Sequence, residues 1–392
     1  MSLLLSVSSV LFALSLCGLL LVFAAYPLLL WATALLRGRK RARLGEARPS
    51  VTIIVVVRNG AAIIEEKVRN CLALDYPVDR LDFVFYSDGS TDGTEEIIGA
   101  RASDRLRLIA RREHMGKAYG LNAAAAKARG EILVFSDTDA LLAPESVAKL
   151  VRHYADTSVG GVCGQRVIAR ERSDLKEGQS NYIRFDSHVK LLESALGSVT
   201  SNDGKLYSLR RALFRPIAPS ATDDLYAALN IVAQGARFTF EPDARAYIRL
   251  PSRSASHEIA RRRRIVSRSL WGILNMRRLL NPFRHGLFAI GLFINKVLRR
   301  MLPVFLALLF VSSVLLSFRS GPARVIVAAQ VAFYLLAAGH PLLIRFGAGG
   351  GRLMKASSTA FYFCVGMLGT LMGVCDFLCG KGATKWDPLK TD

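Results

Sequence analysis

The stretch EILVFSDTDALLAP, residues 131–144, is an apolar run that stops at two carboxylates one residue apart, Asp137 and Asp139. Like charges at that spacing repel unless a positive charge sits between them. The apolar part, EILVFS, reads as a strand, so the pair falls at its carboxyl end. The chain before it supplies the context. VTIIVVV (51–57) is a continuous β-branched run, LDFVFYS (81–87) and RLRLIA (105–110) are two more strands, and GKAYGLNAAAAKA (116–128) has a helical pattern. Strand alternating with helix predicts an α/β domain with a mostly parallel sheet. Ligands of such sheets bind beyond the carboxyl ends of the strands, where Asn59, Asp88 and Asp137 all fall.

Outside this domain the 392-residue chain, 51% hydrophobic, concentrates its apolar residues at the two ends. Residues 2–36 carry no charge, which exceeds the roughly 20 apolar residues that span a bilayer. A secretory signal fits poorly, because nothing basic precedes the run and it outlasts an h-region of about 7–15 residues. RGRKRAR (37–43) follows at once, and basic flanks stay on the cytoplasmic side. Residues 302–318, 325–343 and 360–378 are three further candidate spans; three crossings would leave the basic tail outside, so one segment is interfacial or residues 286–295 enter the bilayer as well. The organisation expected is a transmembrane anchor (1–36), a cytoplasmic domain (50–250), amphipathic interface helices (251–300) and a C-terminal transmembrane region (301–380) in the cell (inner) membrane.

The formal charge of +22 crowds at the membrane edges, in residues 37–48 and 253–300. Such clusters attract anionic lipid head groups. No zinc-finger spacing or aromatic RNA-binding motif accompanies them, so no nucleic-acid partner is expected. The six cysteines form no metal-ligand pattern, and a reducing cytoplasm predicts no structural disulfide.

Each polar motif also has a plain structural reading. DGSTDGT (88–94) can be turns, with Ser90 or Thr91 capping the next helix; Pro144 can open a helix behind Asp139; Asp223 and Asp224 suit the first turn of any helix. Together at strand ends they suggest more. Asp137 and Asp139 can hold Mg²⁺ or Mn²⁺, which take one or two carboxylates plus substrate phosphates. Lys117, after Gly116 at a helix start, can meet a phosphate. Paired Asp223 and Asp224 can provide a general base. Residues 258–274 form an amphipathic helix whose Arg261, Arg264 and Arg268 share a face, as in a helix lying on a membrane or clamping a diphosphate.

In order, Asn59, SDGSTDGT (87–94), GKAYGLN (116–122), FSDTDA (135–140), GKLYSLRR (204–211), TDDL (222–225) and the arginine run 261–264 resemble the membrane-embedded family 2 glycosyltransferases, which include cellulose, hyaluronan and poly-N-acetylglucosamine synthases. The likeness covers roughly residues 50–275 and extends to the anchor and tail helices. It implies a GT-A fold and a nucleotide-diphospho-sugar donor, usually a UDP-sugar. It gives Asp88 the nucleobase with Asn59 close by, Lys117 the nucleotide or its phosphates, Asp137 the donor and metal, and Asp139 the metal. Asp224 matches the base that deprotonates the acceptor, with Asp223 its acidic neighbour, while Gly204, Arg261 and Arg264 fall where acceptor or diphosphate is contacted. A single displacement then inverts the anomeric centre. Ile265 stands where polymerising members carry tryptophan, and Gly60 replaces a common glutamate. The expected enzyme adds one or a few sugars to a lipid-linked or polysaccharide acceptor at the cytoplasmic face, in cell-envelope or exopolysaccharide synthesis. A processive, exporting synthase is the alternative, and a membrane transporter or binding module the rival of another class.

Overall fold

The computed structural model describes residues 2–38, 43–168, 175–248, 254–346 and 351–381; most of the basic run 37–43 and of the tail after 381 lies outside them. Eight strands form one sheet: β1 (Val51–Val57), β2 (Leu81–Asp88), β3 (Leu106–Arg111), β4 (Ile132–Phe135), β5 (Ala140–Leu142), β6 (Val159–Ile168), β7 (Tyr207–Arg210) and β8 (Arg237–Ile248). Their spatial order is β3-β2-β1-β4-β7-β6-β8-β5. β3, β2, β1 and β4 are mutually parallel; β7 then runs antiparallel to β4 and β6, and β5 antiparallel to β8. The predicted parallel sheet is thus the first half of a mixed one.

Every residue of β1 is buried, as a central parallel strand covered on both faces must be. One face packs on α3 (Ala61–Leu72), α4 (Thr94–Gly99) and α6 (Ser146–Val151), the other on α5 (Lys117–Lys127) and α8 (Asp223–Ala233). Val57 pairs with Ser87, so β1 and β2 finish side by side and Asn59 comes next to the DGSTDGT loop. Two local expectations need correction. Pro144 precedes α6 by two residues rather than opening it, because residues 140–142 first make β5. Neither Ser90 nor Thr91 caps α4; Asp92 Oδ1 accepts from the Thr94 amide at 3.3 Å.

Four stretches are long and apolar enough to cross a membrane: Leu3–Leu36, Pro282–Ser317, Gly321–Arg345 and Arg352–Leu378. The first contains α1 (Ser2–Leu20), a π-turn and α2 (Tyr26–Arg37), and the second contains α10 (Pro282–Leu292) and α11 (Leu302–Ser317). The domain boundary expected at residue 300 therefore falls inside the second stretch. α12 (Gly321–Arg345) and α13 (Arg352–Leu378) complete the set. α7 (Leu175–Leu196) buries Val189 and Leu192 against Tyr26, Leu30 and Ala34 of the anchor, tying domain to membrane. α9 (Ala255–Asn275), the arginine helix, packs Ile273 on Leu225 and Leu229 of α8, and Arg268 donates to the carbonyls of Pro219 and Ala221 in the loop before it at 2.8 Å.

Candidate active site

The strand-end loops lock together through backbone amides. Asn59 adopts a left-handed conformation (φ 47°), which asparagine tolerates better than most residues. Its Oδ1 accepts from the Thr91 amide at 2.8 Å. The amides of Gly60 and Ala61, at the start of α3, donate to Thr94 Oγ1 (2.7 Å) and Asp92 Oδ2 (3.0 Å). The DGSTDGT loop thus caps the helix of the neighbouring strand, satisfying donors that a helix start leaves open.

Asp88, expected to meet the nucleobase, is turned inward and fully buried. Its oxygens accept from the amides of Met115 and Gly116, each at 2.8 Å, and lie 2.8 Å from His114 Nδ1. In this arrangement it holds the loop that aims Lys117. Gly116 turns that loop at φ 95°, where a side chain would be strained, and Lys117 begins α5.

The positive charge between the two carboxylates is a lysine. Lys205 Nζ lies 2.7 and 2.8 Å from the two oxygens of Asp139 and 3.1 Å from Asp137 Oδ2. Lys117 Nζ lies 2.7 Å from Asp137 Oδ1 and 2.7 Å from Asp223 Oδ2. The charges therefore alternate along Asp139, Lys205, Asp137, Lys117 and Asp223. Burial raises the Asp137 carboxyl, but Lys117 and then Lys205 outweigh it and hold the group well below the usual carboxylate range. Burial likewise disfavours the charge on Lys117, and Asp137 and Asp223 more than offset it. Beneath the loop, fully buried Lys67 donates to Ser136 Oγ at 2.7 Å and to the Ala140 carbonyl, pinning both ends of the Asp137–Asp139 turn.

Asp224 adjoins the end of this chain. Its Oδ1 accepts from the Leu225 amide at 2.7 Å. Burial, then the charge of Asp223, pushes its carboxyl up to about 6. A carboxylate with that value can accept a proton near neutral pH better than an ordinary aspartate. Gly204 stands close by: a Cβ there would lie 3.7 Å from Asp224 Cβ and 3.8 Å from Lys117 Nζ. Asp224 opens into a cavity of about 220 Å³ walled by Asp203, Arg261, Ile265, Lys296 and Arg300. Arg261 is held by buried Glu258 at 2.8 Å. Arg264 is not in that wall. Burial, Arg268 and Arg261 disfavour its charge, while Asp223 and Asp137 favour it.

The structure thus gathers Asp137, Asp139, Lys117, Asp223, Asp224 and Gly204, sets Arg261 and Arg264 beside them, and puts Asn59 and Asp88 behind them as supports. Sequence reading missed Lys205, Lys67, Glu258, Lys296 and Arg300. Lys205 had one usable signal, its place between Gly204 and a strand in the quoted GKLYSLRR.

For a divalent metal the donor set fits. Asp139 and Asp137 direct three oxygens at one point, and Mg²⁺ or Mn²⁺ complete such a shell with phosphate oxygens. Among the described residues no cluster of three His, Cys, Asp or Glu side chains forms a self-sufficient cage. Lys205 now holds the shared point.

Residues 52–217 match the family described as Glycosyl transferase family 2. The central domain is a glycosyltransferase family 2 domain with a GT-A fold. Curated relatives include beta-monoglucosyldiacylglycerol synthases of Nostoc sp. (28% identical over 168 residues, 42% of this chain and 36% of the relative) and Synechocystis sp. (26% over 162 residues, 39% and 34%). The chain thus spans about a third of the length of these relatives. Among solved structures it is similar to the mannosyltransferase PcManGT from Pyrobaculum calidifontis, in complex with GDP-Man and Mn²⁺, at TM-score 0.67 and 25% identity, covering 95% of this chain and 99% of that one.

Proposed function

We propose that the protein is a membrane-bound, inverting glycosyltransferase that moves a sugar from a nucleoside diphospho-sugar to a hydroxyl of a lipid-linked acceptor. The observation that carries this reading is the position of Asp224. It faces the donor-side charges on one side and, on the other, a cavity whose wall includes Lys296 and Arg300 just before α11, the second helix of the candidate span Pro282–Ser317. An acceptor anchored in the bilayer reaches that cavity without leaving the membrane surface.

The residues divide the work as follows. Lys117, supported by Asp88 through the Met115–Gly116 amides, faces the diphosphate. Arg264 adds positive charge toward the leaving group. A divalent metal held by Asp139 and Asp137 supplies, when bound, further neutralisation of the departing diphosphate. Asp224 takes the proton of the acceptor hydroxyl as that oxygen attacks the anomeric carbon from the face opposite the diphosphate, and the sugar–phosphate bond breaks. Asp223, fixed by Lys117, keeps the base poised by its charge. This reading requires the catalytic domain on the cytoplasmic side, where nucleotide sugars are held.

A processive synthase is the second reading. Ile265 in the cavity wall argues against it, because an aliphatic side chain offers no flat ring on which a sugar chain can slide. The test is transfer in proteoliposomes, screening UDP- and GDP-sugars with Mn²⁺ or Mg²⁺ against lipid acceptors, with Asp224→Asn alongside. One labelled lipid product of fixed size, lost in the variant, supports the proposal; an acceptor-independent ladder of polymer supports the synthase instead.

A further inference from the structure

Building on the donor site just proposed, we propose that Lys205 is the resident counter-ion of the metal position, so that metal loading depends on the donor. Its ammonium spans both oxygens of Asp139 and one of Asp137, the same oxygens a divalent ion would take. Ammonium and metal cannot share them, because two cations at contact distance repel. Lys117 need not move: it touches Asp137 and Asp223 but makes no contact with Asp139. The Lys205 backbone is anchored, its amide to Asp203 Oδ1 at 3.2 Å and its carbonyl to Ser136 Oγ at 3.1 Å. Only the flexible four-carbon stem has to swing. A nucleoside diphosphate brings oxygens that complete the metal shell and gives the displaced ammonium a new anionic partner. Without a nucleotide, the metal must evict Lys205 with no such compensation.

The measurement is Mn²⁺ binding, read from the electron paramagnetic resonance signal of free Mn²⁺, with the full-length protein in detergent. It needs no sugar transfer, so it stands or falls separately from the proposed activity. Wild type is expected to bind Mn²⁺ weakly alone and at least about tenfold more tightly with UDP or GDP, since each tenfold corresponds to a modest free-energy gain. Lys205→Met is expected to bind Mn²⁺ tightly without nucleotide, and Asp139→Asn added to it abolishes the gain. Lys205→Gln repeats the test should the methionine variant fail to fold. Equal nucleotide-free affinity in wild type and variants overturns the proposal.

A second inference rests on a different observation, the packing of α13. We infer that α13 does not cross, although its composition would let it: residues 362–377 lie on the catalytic side of the membrane, and residues 357–363 lean on the catalytic-side half of α12 at His340 and Phe333. Residues 362–377 run along residues 258–271 of α9 in the same direction. Tyr362 donates to Glu258 at 3.1 Å, the backbone at Gly369 and Gly373 abuts Ile259 and Arg263, Arg263 pairs with Asp376, and Trp271 meets Phe377. The other side of α9 rests on α8 of the catalytic domain, Ile273 packing on Leu225 and Leu229. Were α13 to cross along this length, Glu258, Arg261, Arg262, Arg263, Arg264 and Arg268 would go with it, and ionisable groups at mid-bilayer are strongly disfavoured. With α13 on the surface, Tyr362 helps wall the cavity beside Asp224. Leu3–Leu36, α11 and α12 are the crossings, the second stretch entering the bilayer only beyond Arg300, and the end of α13 returns to the side of the catalytic domain. Epitope tags placed after residue 392 and, as the opposite marker, in the turn at residues 318–320 test this in sealed vesicles of both orientations. Protease should reach the C-terminal tag only where it reaches the catalytic domain; access from the face that exposes the turn overturns the inference.

Discussion

The donor half and the acceptor half of the site are held by different physics. On the donor side, side chains leave the ends of buried parallel strands and are fixed by backbone amides and by alternating charges: Asp88 on Met115 and Gly116, Asn59 on Thr91, Lys117 between Asp137 and Asp223. On the acceptor side, the cavity is walled mainly by helix side chains of α7 and α9 and by Lys296 and Arg300, set beside the ends of β6 and β8, with Glu258 steering Arg261 and with Lys296 on Ser201. Strand ends are placed by hydrogen-bond register and leave little freedom. Helix walls are placed by side-chain packing, which can be repacked to suit another acceptor. The difference teaches that donor chemistry is set by the frame and acceptor choice by what surrounds it.

Asp224 sits where the halves meet, so its removal should do most. Asp224→Asn is expected to lower transfer about 10²–10⁴-fold while nucleotide binding stays within a factor of about two. Its folded carboxyl lies above the ordinary aspartate value, so ionisation costs stability as pH rises from the unfolded value through about 6. The neutral amide should therefore raise the melting temperature at pH 8 by a few degrees, readable by scanning fluorimetry. Loss of nucleotide binding would mean that the two halves are not separable.

Next in size is Asp88→Ala. It strands the buried Gly116 amide and the half-buried Met115 amide, which costs roughly 1–3 kcal/mol. Lys117 should lose its aim, raising the donor KM with little change in affinity for the acceptor. An acceptor defect of equal size would erase the contrast. Lys67→Met probes the same frame from beneath. Removing the ammonium takes a donor from the buried Ala140 carbonyl and Ser136 hydroxyl, so stability should fall by roughly 1–3 kcal/mol and Mn²⁺ binding in the presence of nucleotide should weaken several-fold as the 136–140 turn is freed.

The pH dependence sharpens the comparison further. The base must be ionised, so kcat/KM should climb through about pH 6 and level off above it. The groups acting on Asp224 are Asp223 and Asp203, which raise it, and Lys117, which lowers it. Asp223→Asn removes a raising charge and leaves Lys117 less neutralised. Both effects move the rise to lower pH, as a rate–pH series would register. The smallest effect is expected for Arg263→Ala. Its pair with Asp376 lies at the periphery, with the arginine side chain 41% exposed, so stability should change by no more than about 1 kcal/mol and the donor KM not at all.

The same division decides what could be read from sequence. β1 to β4 announce themselves as short apolar runs, and Asp88, Asp137 and Asp139 stand out because each follows one. The later strands mix antiparallel pairs with the parallel pair of β6 and β8 and join across long connections, so β5, only three residues long, and the pairing of β6 with β8 have no local signature. Lys67 looks like a surface residue in EEKVRN, and only tertiary packing brings it under a loop some 70 residues away. Lys205 carries no such mark, since lysines beside a strand are common. α13 shows the limit most clearly: its apolar residues satisfy a bilayer and the α9 surface equally well, and composition alone does not separate the two.

The central claim is that Asp224 is the base joining a membrane-side acceptor to a donor held at the strand ends. Its most direct test compares wild type with Asp224→Asn in proteoliposomes, measuring nucleotide-sugar affinity and sugar transfer to lipid in the same preparation. The account predicts unchanged affinity with transfer reduced at least about 10²-fold. Transfer at the wild-type rate in the variant, with donor bound as before, would contradict it.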